Sequence, residues 1–182
     1  YVGLLDKIIN FCESHEYSYE FLNNKYYGTP FEVNEYISKE GVKDYMNTVS
    51  KYSPRDYQID GVYDALRHNR RLLISPTASG KSLMIYSIVR YHVERGQNTL
   101  IVVPTTSLVE QMYKDFADYG WDVGSFCHKI YAGRERETDS QVIITTWQSI
   151  YKLPRKYFSR FNVVVGDEAH QFKSKSLISI MT

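Results

Sequence analysis

The rhythm of apolar positions changes near residue 52. Before that point Leu4, Leu5, Ile8, Ile9, Phe11 and Cys12 recur at helical spacing and predict one amphipathic helix. Tyr17, Tyr19 and Phe21 alternate as in a short strand, ahead of the break at Gly28-Thr29-Pro30. A second helix is expected over residues 31–37, and Gly41 interrupts the stretch after it. Beyond residue 52 helical and strand patterns take turns. The pattern predicts a helix at 56–68, a strand at 72–74, and a helix at 82–95 that is apolar on most sides and therefore largely buried. A strand at 99–103 leads to a helix at 107–119, with Leu108, Met112, Phe116 and Tyr119 on one stripe and Ser107 as its cap. Strands near 125–127 and 141–145, a short helix at 147–153 stopped by Pro154, and a strand at 161–165 complete the series. The run at 161–165 has the composition of a strand buried on both faces. Repeated βα units mean an α/β fold, with a parallel sheet covered by helices on both faces and right-handed crossovers. Residues 1–51 form the expected small α/β appendage and residues 52–182 the main domain. About fifty residues bury too little surface to be robust alone, so the appendage is expected to dock on its neighbour.

Composition narrows the classes of function. With 182 residues and 43% apolar content the chain is an ordinary globular one, with room for one full domain and a small addition. Its longest apolar runs, such as 100–103 and 142–144, fall far short of the ~20 residues of a bilayer helix. The start has neither a basic segment nor a small-residue cleavage site of a signal peptide. It opens on Tyr1 instead of Met, which reads as a fragment boundary. The net charge of +1 hides an uneven distribution: residues 1–51 hold eight acidic and five basic residues, and the remainder seventeen basic and thirteen acidic. Phosphate contacts are therefore expected in the second part, as a local patch. Cys12 and Cys127 stand far apart beside Phe11 and Phe126, outside any zinc or redox spacing, and read as free thiols packed among apolar neighbours.

The chemistry concentrates in two places. Ser75-Pro76-Thr77-Ala78-Ser79-Gly80-Lys81-Ser82 lies between a predicted strand and a predicted helix, so the loop delivers backbone N–H groups to a helix N-terminus, where an anion belongs. Lys81 would reach the β- and γ-phosphates of a nucleotide triphosphate, the Ser82 hydroxyl would ligate Mg²⁺, and Gly80 would let the backbone approach the phosphates. Ser75 stands where the general phosphate-loop pattern has its first glycine. The second place is Asp167-Glu168, directly after the 161–165 run, at the strand end where open α/β sheets hold their ligands. Asp167 is placed to hold Mg²⁺ and Glu168 to orient or deprotonate an attacking water.

Four further signals, in order, complete a known pattern: Tyr57-Gln58, the run Val103-Pro104-Thr105-Thr106-Ser107-Leu108, Thr145-Thr146-Trp147-Gln148-Ser149, and the DEAH box Asp167-Glu168-Ala169-His170. From about residue 53 to 172 the chain resembles the first RecA-like motor domain of a superfamily 2 helicase, a P-loop NTPase, and within that superfamily it is similar to phage recombination helicases. The resemblance implies ATP with Mg²⁺ as cofactors and branched DNA as substrate, in recombination and fork repair in the cytoplasm of an infected host. It implies that Gln58 reads adenine, with Arg55 or Tyr57 packing on the ring. Pro76, Thr77, Ala78, Ser79, Gly80, Lys81 and Ser82 would hold the phosphates, and Lys81, Asp167, Glu168 and His170 would form the catalytic set. His170 would couple the site to a second RecA-like domain. Thr105, Thr106 and Thr146 fall where such motors grip the DNA backbone. Gly166 stands where an apolar residue is commoner. The coupling element, second domain and arginine finger of such motors are expected beyond residue 182, so this segment alone is expected to bind Mg·ATP weakly and hydrolyse it negligibly.

Plainer readings accompany these. Thr105 and Thr145 are also suited to capping helices. Lys152, Arg155, Lys156, Tyr157, Phe158 and Arg160 fit a solvated helix end as well as a nucleic-acid path. Arg134 and Arg136 alternate with Glu135 and Glu137 as in an exposed loop, and His68, Arg70 and Arg71 suit the C-terminal end of a helix dipole. Three function classes stay open: a DNA motor; another phosphate-loop enzyme, such as a kinase or a translocating restriction subunit; and a nucleotide-dependent binding module without hydrolysis. The Gln58, Pro-Thr-Thr and Thr-Trp-Gln elements favour the motor over a kinase, and Glu168 argues against a mere binder.

Overall fold

A computed structural model of the chain describes residues 5–20, 33–68, 70–76, 78–131 and 138–168. Helices α1 (Leu5–Ser14), α2 (Lys39–Val49), α3 (Asp56–Arg67) and α4 (Lys81–Val93) precede strand β1 (Thr99–Val103). Then come α5 (Thr106–Asp118), the single turn α6 (Val123–Phe126), β2 (Cys127–Ile130), β3 (Val142–Thr146), the short helices α7 (Trp147–Ile150) and α8 (Arg155–Phe158), and β4 (Val163–Gly166). The strands form one parallel sheet in the order β2-β3-β1-β4.

Strands β1 and β3 sit in the middle, and every residue of both is buried. Their period of two splits the core into two layers. Ile101, Val103, Val142 and Ile144 face the layer built by α4 and α5, with α3 packed on α4 and α2 on α3. Leu100, Val102, Ile130 and Ile143 face the opposite layer, where Ile150 of α7 lies with Trp147, Tyr157, Phe158 and Phe161. Helices thus cover both faces, as the βα alternation predicts.

An aromatic group locks the first layer. Tyr86 of α4 is fully buried, with the rings of Tyr119, Phe116 and Trp121 at 5.1, 5.4 and 5.9 Å. Its hydroxyl donates to the carbonyl of Val49 at the end of α2, 2.6 Å away. Arg90, one turn on, lies over the Trp121 ring at 5.0 Å. Val42 and Met46 of α2 join the same core, so this part of the N-terminal stretch docks on the main domain. Cys127 is buried as a free thiol, and burial pushes its pKa up to about 12; Cys12 is only partly buried.

Several local expectations change. Residues 72–74 are not in a strand; Leu72 and Ile74 are 75% and 93% exposed, because among the described residues no neighbouring strand supplies hydrogen bonds to this apolar run. Strand β4 is accordingly an edge strand among the described residues, with Val164 exposed instead of buried on both faces. The helix expected at 31–37 is not there: residues 33–37 are non-helical and 31–32 lie outside the described residues, while α2 begins at Lys39 and runs through Gly41. Glycine is tolerated there because it lies in the first turn, where its N–H donates to the side chain of the cap Ser38. Thr105, and not Ser107, caps α5, accepting from Leu108 N–H at 3.3 Å. Tyr17 and Tyr19 are not in a strand, and Phe21 lies outside the described residues. Residues 123–126 form a helical turn that delays β2 to Cys127. Helix α8 has no counterpart in the sequence pattern; it starts after Pro154, which suits a helix entry as well as a stop.

Phe116→Ala should lower stability by about 3–5 kcal/mol, because it removes a fully buried ring from the group that joins α4 to α5; thermal or denaturant unfolding checks this. His92, near the end of α4, has its pKa lowered from 6.5 by burial, despite a hydrogen bond with Gln97 at 2.6 Å. With the folded pKa below the unfolded one, its contribution is intact above pH 6.5 and is lost as the pH falls through the interval below. His92→Gln should therefore flatten the decline of melting temperature between about pH 7 and about pH 5.

Candidate phosphate-binding cleft

Residues 78–80 lead directly into α4, whose first two residues are Lys81 and Ser82. Ala78 and Gly80 both take left-handed backbone angles, φ 63° and φ 74°. The N-cap of α4 is Gly80, which makes no side-chain cap bond, and Leu83 N–H donates to the Gly80 carbonyl at 3.0 Å. Gln58, 5% exposed on α3, holds the loop from behind. Its Nε2 donates to the Ser79 carbonyl at 2.9 Å, while its Oε1 accepts from Arg55 N–H at 2.8 Å. A methyl group on Gly80 would come within 2.4 Å of that same Nε2. The Tyr57 hydroxyl donates to the Ser79 carbonyl as well, at 2.9 Å, and Ser75 and Ser79 hydroxyls bond to each other.

The acidic pair arrives from the far side of the chain. Asp167 N–H donates to the Val102 carbonyl at 3.0 Å, continuing the β1–β4 ladder by one step. Glu168 then turns out of the sheet with φ 52°, its N–H bonded to Asp167 Oδ1 at 2.9 Å. That turn brings the Glu168 carboxylate into an ion pair with Lys81. The hydrogen bond to Glu168 is the main cause that raises the Lys81 pKa, with the charge of Asp167 adding to it. Ser75, Lys81, Asp167 and Glu168 line one cleft of about 1050 Å³, which opens between residues 71–75 and β4.

The sequence-derived residues thus divide into three groups. Gln58, Ser79, Gly80, Lys81, Asp167 and Glu168 gather around the loop and cleft; Ala78 shapes the loop through its backbone, and the Pro76 carbonyl accepts from Ser79 N–H at 3.3 Å. Thr77 and His170 lie outside the described residues, as do Arg134, Glu135, Arg136 and Glu137. Thr105 and Thr106 are exposed at the start of α5, with the Thr105 side chain also serving as the cap. Thr146 is 4% exposed and its hydroxyl pairs with Ser149, and Thr145 is buried and donates to the Ile130 carbonyl at 2.8 Å. In the basic and aromatic cluster, Tyr157 and Phe158 pack on the core, and Arg160 donates to the carbonyls of Thr138 and Ser140. The Ser82 hydroxyl bonds to Tyr119 of α5 at 2.7 Å, a partner that the sequence pattern places only on a packing stripe.

Of the two residues with metal-binding oxygens that the sequence singles out, Asp167 lines the cleft, whereas the Ser82 hydroxyl is engaged by Tyr119. Asp167 and Ser82 offer hard oxygens, and Mg²⁺ is commonly held by one or two carboxylates plus the phosphates of the substrate.

Residues 51–182 match the family described as Type III restriction enzyme, res subunit. The chain belongs to this family. Among individual proteins, this res-subunit family member is 32% identical over 99% of its length to the ATP-dependent DNA helicase uvsW of Enterobacteria phage T4, and 30% identical over 69% of its length to the DNA 3'-5' translocase XPB2 of Sulfurisphaera tokodaii. It spans 37% of the first relative and 27% of the second. Its fold superposes on the crystal structure of the T4 UvsW helicase with a TM-score of 0.84, covering 99% of this chain and 66% of that one. A hypothetical ATP-dependent RNA helicase from Sulfolobus tokodaii shares the fold at a TM-score of 0.57 and 20% identity. These matches agree with the RecA-like α/β architecture and with the resemblance to superfamily 2 helicases read from the motifs.

Gly80→Ala should destabilise the loop by about 1–3 kcal/mol, from the left-handed backbone and the clash with Gln58. Adding Gln58→Ala should recover part of that loss, and melting temperatures of the single and double variants test it.

Proposed function

We propose that the chain is the ATP-binding motor domain of an ATP-dependent DNA helicase that acts on branched DNA in recombination and replication-fork repair. The observation that carries this reading is the meeting of Lys81 with Glu168, beside Asp167, in one cleft at the end of β4. Two opposite charges 87 residues apart pair with each other there. A triphosphate placed on the N-terminus of α4 draws the Lys81 ammonium to its β- and γ-oxygens and releases the Glu168 carboxylate. Glu168 is then the acceptor that orients a water and takes its proton. Asp167 and Ser82 hold Mg²⁺, which when bound neutralises charge on the β- and γ-phosphates.

Further roles are suggested by the helicase relatives. Gln58 positions the loop, and reading adenine as well would require its amide to give up Ser79 or Arg55. Arg55 and Tyr57 lie beside it and are bonded to each other at 3.2 Å, suited to flank a base. Thr105 and Thr106, exposed at the start of α5, supply hydroxyl and N–H groups for a DNA backbone. Thr146 joins them once its bond to Ser149 is released. His170 couples the site to a second RecA-like domain in cis, which brings an arginine finger. The enzyme works in the cytoplasm of a phage-infected host.

A restriction-type DNA translocase is the second reading, favoured by the family description itself. The T4 helicase match also takes in most of the N-terminal fifty residues, which the family match at 51–182 leaves out, and that supports the helicase. ATPase activity of a full-length enzyme that includes the second RecA-like domain, stimulated more by forked than by linear DNA and without DNA cleavage, is the expected result; cleavage would favour the translocase.

Lys81→Ala should abolish nucleotide binding in calorimetry. Glu168→Gln should retain binding and, in the full-length enzyme with its second RecA-like domain, lower hydrolysis by about 10² or more. Equal loss of binding in both variants would overturn the assignment of roles.

A further inference from the structure

Positive charge is concentrated in one stretch of the chain. Residues 140–166 hold four basic residues and no acidic one, so the other residues together are net negative in a chain of net charge +1. Arg160 of this stretch donates to the carbonyls of Thr138 and Ser140, while Lys152, Arg155 and Lys156 are exposed. The aromatic residues divide in the same way: Tyr157, Phe158 and Phe161 pack on the core, whereas Tyr151 is 44% exposed. Its place is fixed from below. Ile150 beside it is fully buried, and Tyr151 N–H donates to the Trp147 carbonyl at 3.0 Å as α7 ends. The Trp147 ring meets the Tyr151 ring at 5.8 Å, and the Lys152 ammonium lies 5.4 Å from its centroid.

Helix α7 stands at the carboxyl rim of the sheet. Strands β3 and β1 pair up to Val103↔Thr146, and α7 begins at the residue after that pair, as Thr105 and Thr106 open α5 on the neighbouring strand. In the order β2-β3-β1-β4 these two threonines lie between α7 and the acidic pair that follows β4. Two interstrand spacings separate β3 from β4, about 10 Å. Tyr151 and Lys152 thus extend, away from the nucleotide cleft, the line on which the proposed function places the DNA backbone.

We propose that Tyr151 and Lys152 bind one nucleotide of single-stranded DNA, the ring stacking on its base and the ammonium pairing with its phosphate. The inference rests on the chain being the DNA motor of the proposed function, and it adds a base contact to the backbone contacts. Every base has a π-face, so a stacking ring beside a basic surface grips a strand without reading its sequence. Bases inside a duplex are stacked on one another and leave no face for the ring, so the site selects single strands. The long flexible stem of Lys152 lets the ammonium leave the ring for a phosphate, which opens that ring face to a base.

The test is fluorescence anisotropy of a labelled oligothymidylate with the full-length enzyme at several salt concentrations. Tyr151→Ala should weaken binding by about five- to a hundredfold with an unchanged salt slope, and Tyr151→Phe should leave it within about twofold. Lys152→Gln should reduce the slope of log affinity against log salt by about 0.7, the share of one phosphate on a single strand. On an oligomer of abasic sites the Tyr151→Ala effect should vanish and the Lys152→Gln effect should remain. The proposal is overturned if Tyr151→Ala binds oligothymidylate as the parent does, or loses as much affinity for the abasic oligomer or for a blunt duplex. If Tyr151→Ala has no effect while Thr105→Ala with Thr106→Ala weakens binding, the base contact falls and the motor reading stands. If the parent enzyme binds no oligonucleotide, both fall.

Discussion

Parallel pairing of β4 with β1 is the constraint on which the candidate site depends. The register Val102↔Gly166 is followed by one more backbone bond, from Asp167 N–H to the Val102 carbonyl. Those two steps fix the height at which the acidic pair leaves the sheet. A parallel strand needs a crossover from its neighbour, so the residues at its carboxyl end come to lie beside helices that start at the same rim. Lys81, the first residue of α4, stands at that rim, and the left-handed turn at Glu168 closes the remaining gap. Neither charge is deeply buried, with side-chain exposures of 28% and 27%, so the pair is easily exchanged for a ligand. Its interest lies in location more than in its contribution to stability.

The sequence is legible where structure comes from local pattern. The fully buried β1 and β3 are contiguous β-branched and aliphatic runs, and α3, α4 and α5 track their apolar stripes within a residue or two. Reading fails where a partner decides. Leu72, Leu73 and Ile74 have strand composition, yet composition cannot provide the neighbouring backbone that a strand requires. Thr105 and Ser107 are both competent caps, and only the backbone turn at residue 105 selects the first. In the site, Lys81, Ser82, Gly80, Asp167 and Glu168 are visible in the sequence because phosphate and metal chemistry demand those residue types at those spacings. The loop contact of Tyr57 and the Ser82 contact of Tyr119 are not, since they arise between elements distant in sequence.

The aromatic layer ties these two kinds of information together. Tyr86 packs against Tyr119 and, through its hydroxyl, against the end of α2. Tyr119 in turn reaches the first turn of α4 through Ser82. Tyr86 and Tyr119 thus join the end of α2, the C-terminal end of α5 and the first turn of α4 in one packed group.

The outer side of β4 carries a different kind of consequence. Among the described residues β4 is a terminal strand, which offers a row of backbone donors and acceptors, and it runs beside the exposed apolar side chains of Leu72 and Ile74. Such an edge invites strand addition from another polypeptide, and natural sheets cover, twist or charge theirs to avoid it. Val164 is no charged gatekeeper. Among the described residues this border is therefore one place where a strand from another polypeptide would extend the sheet.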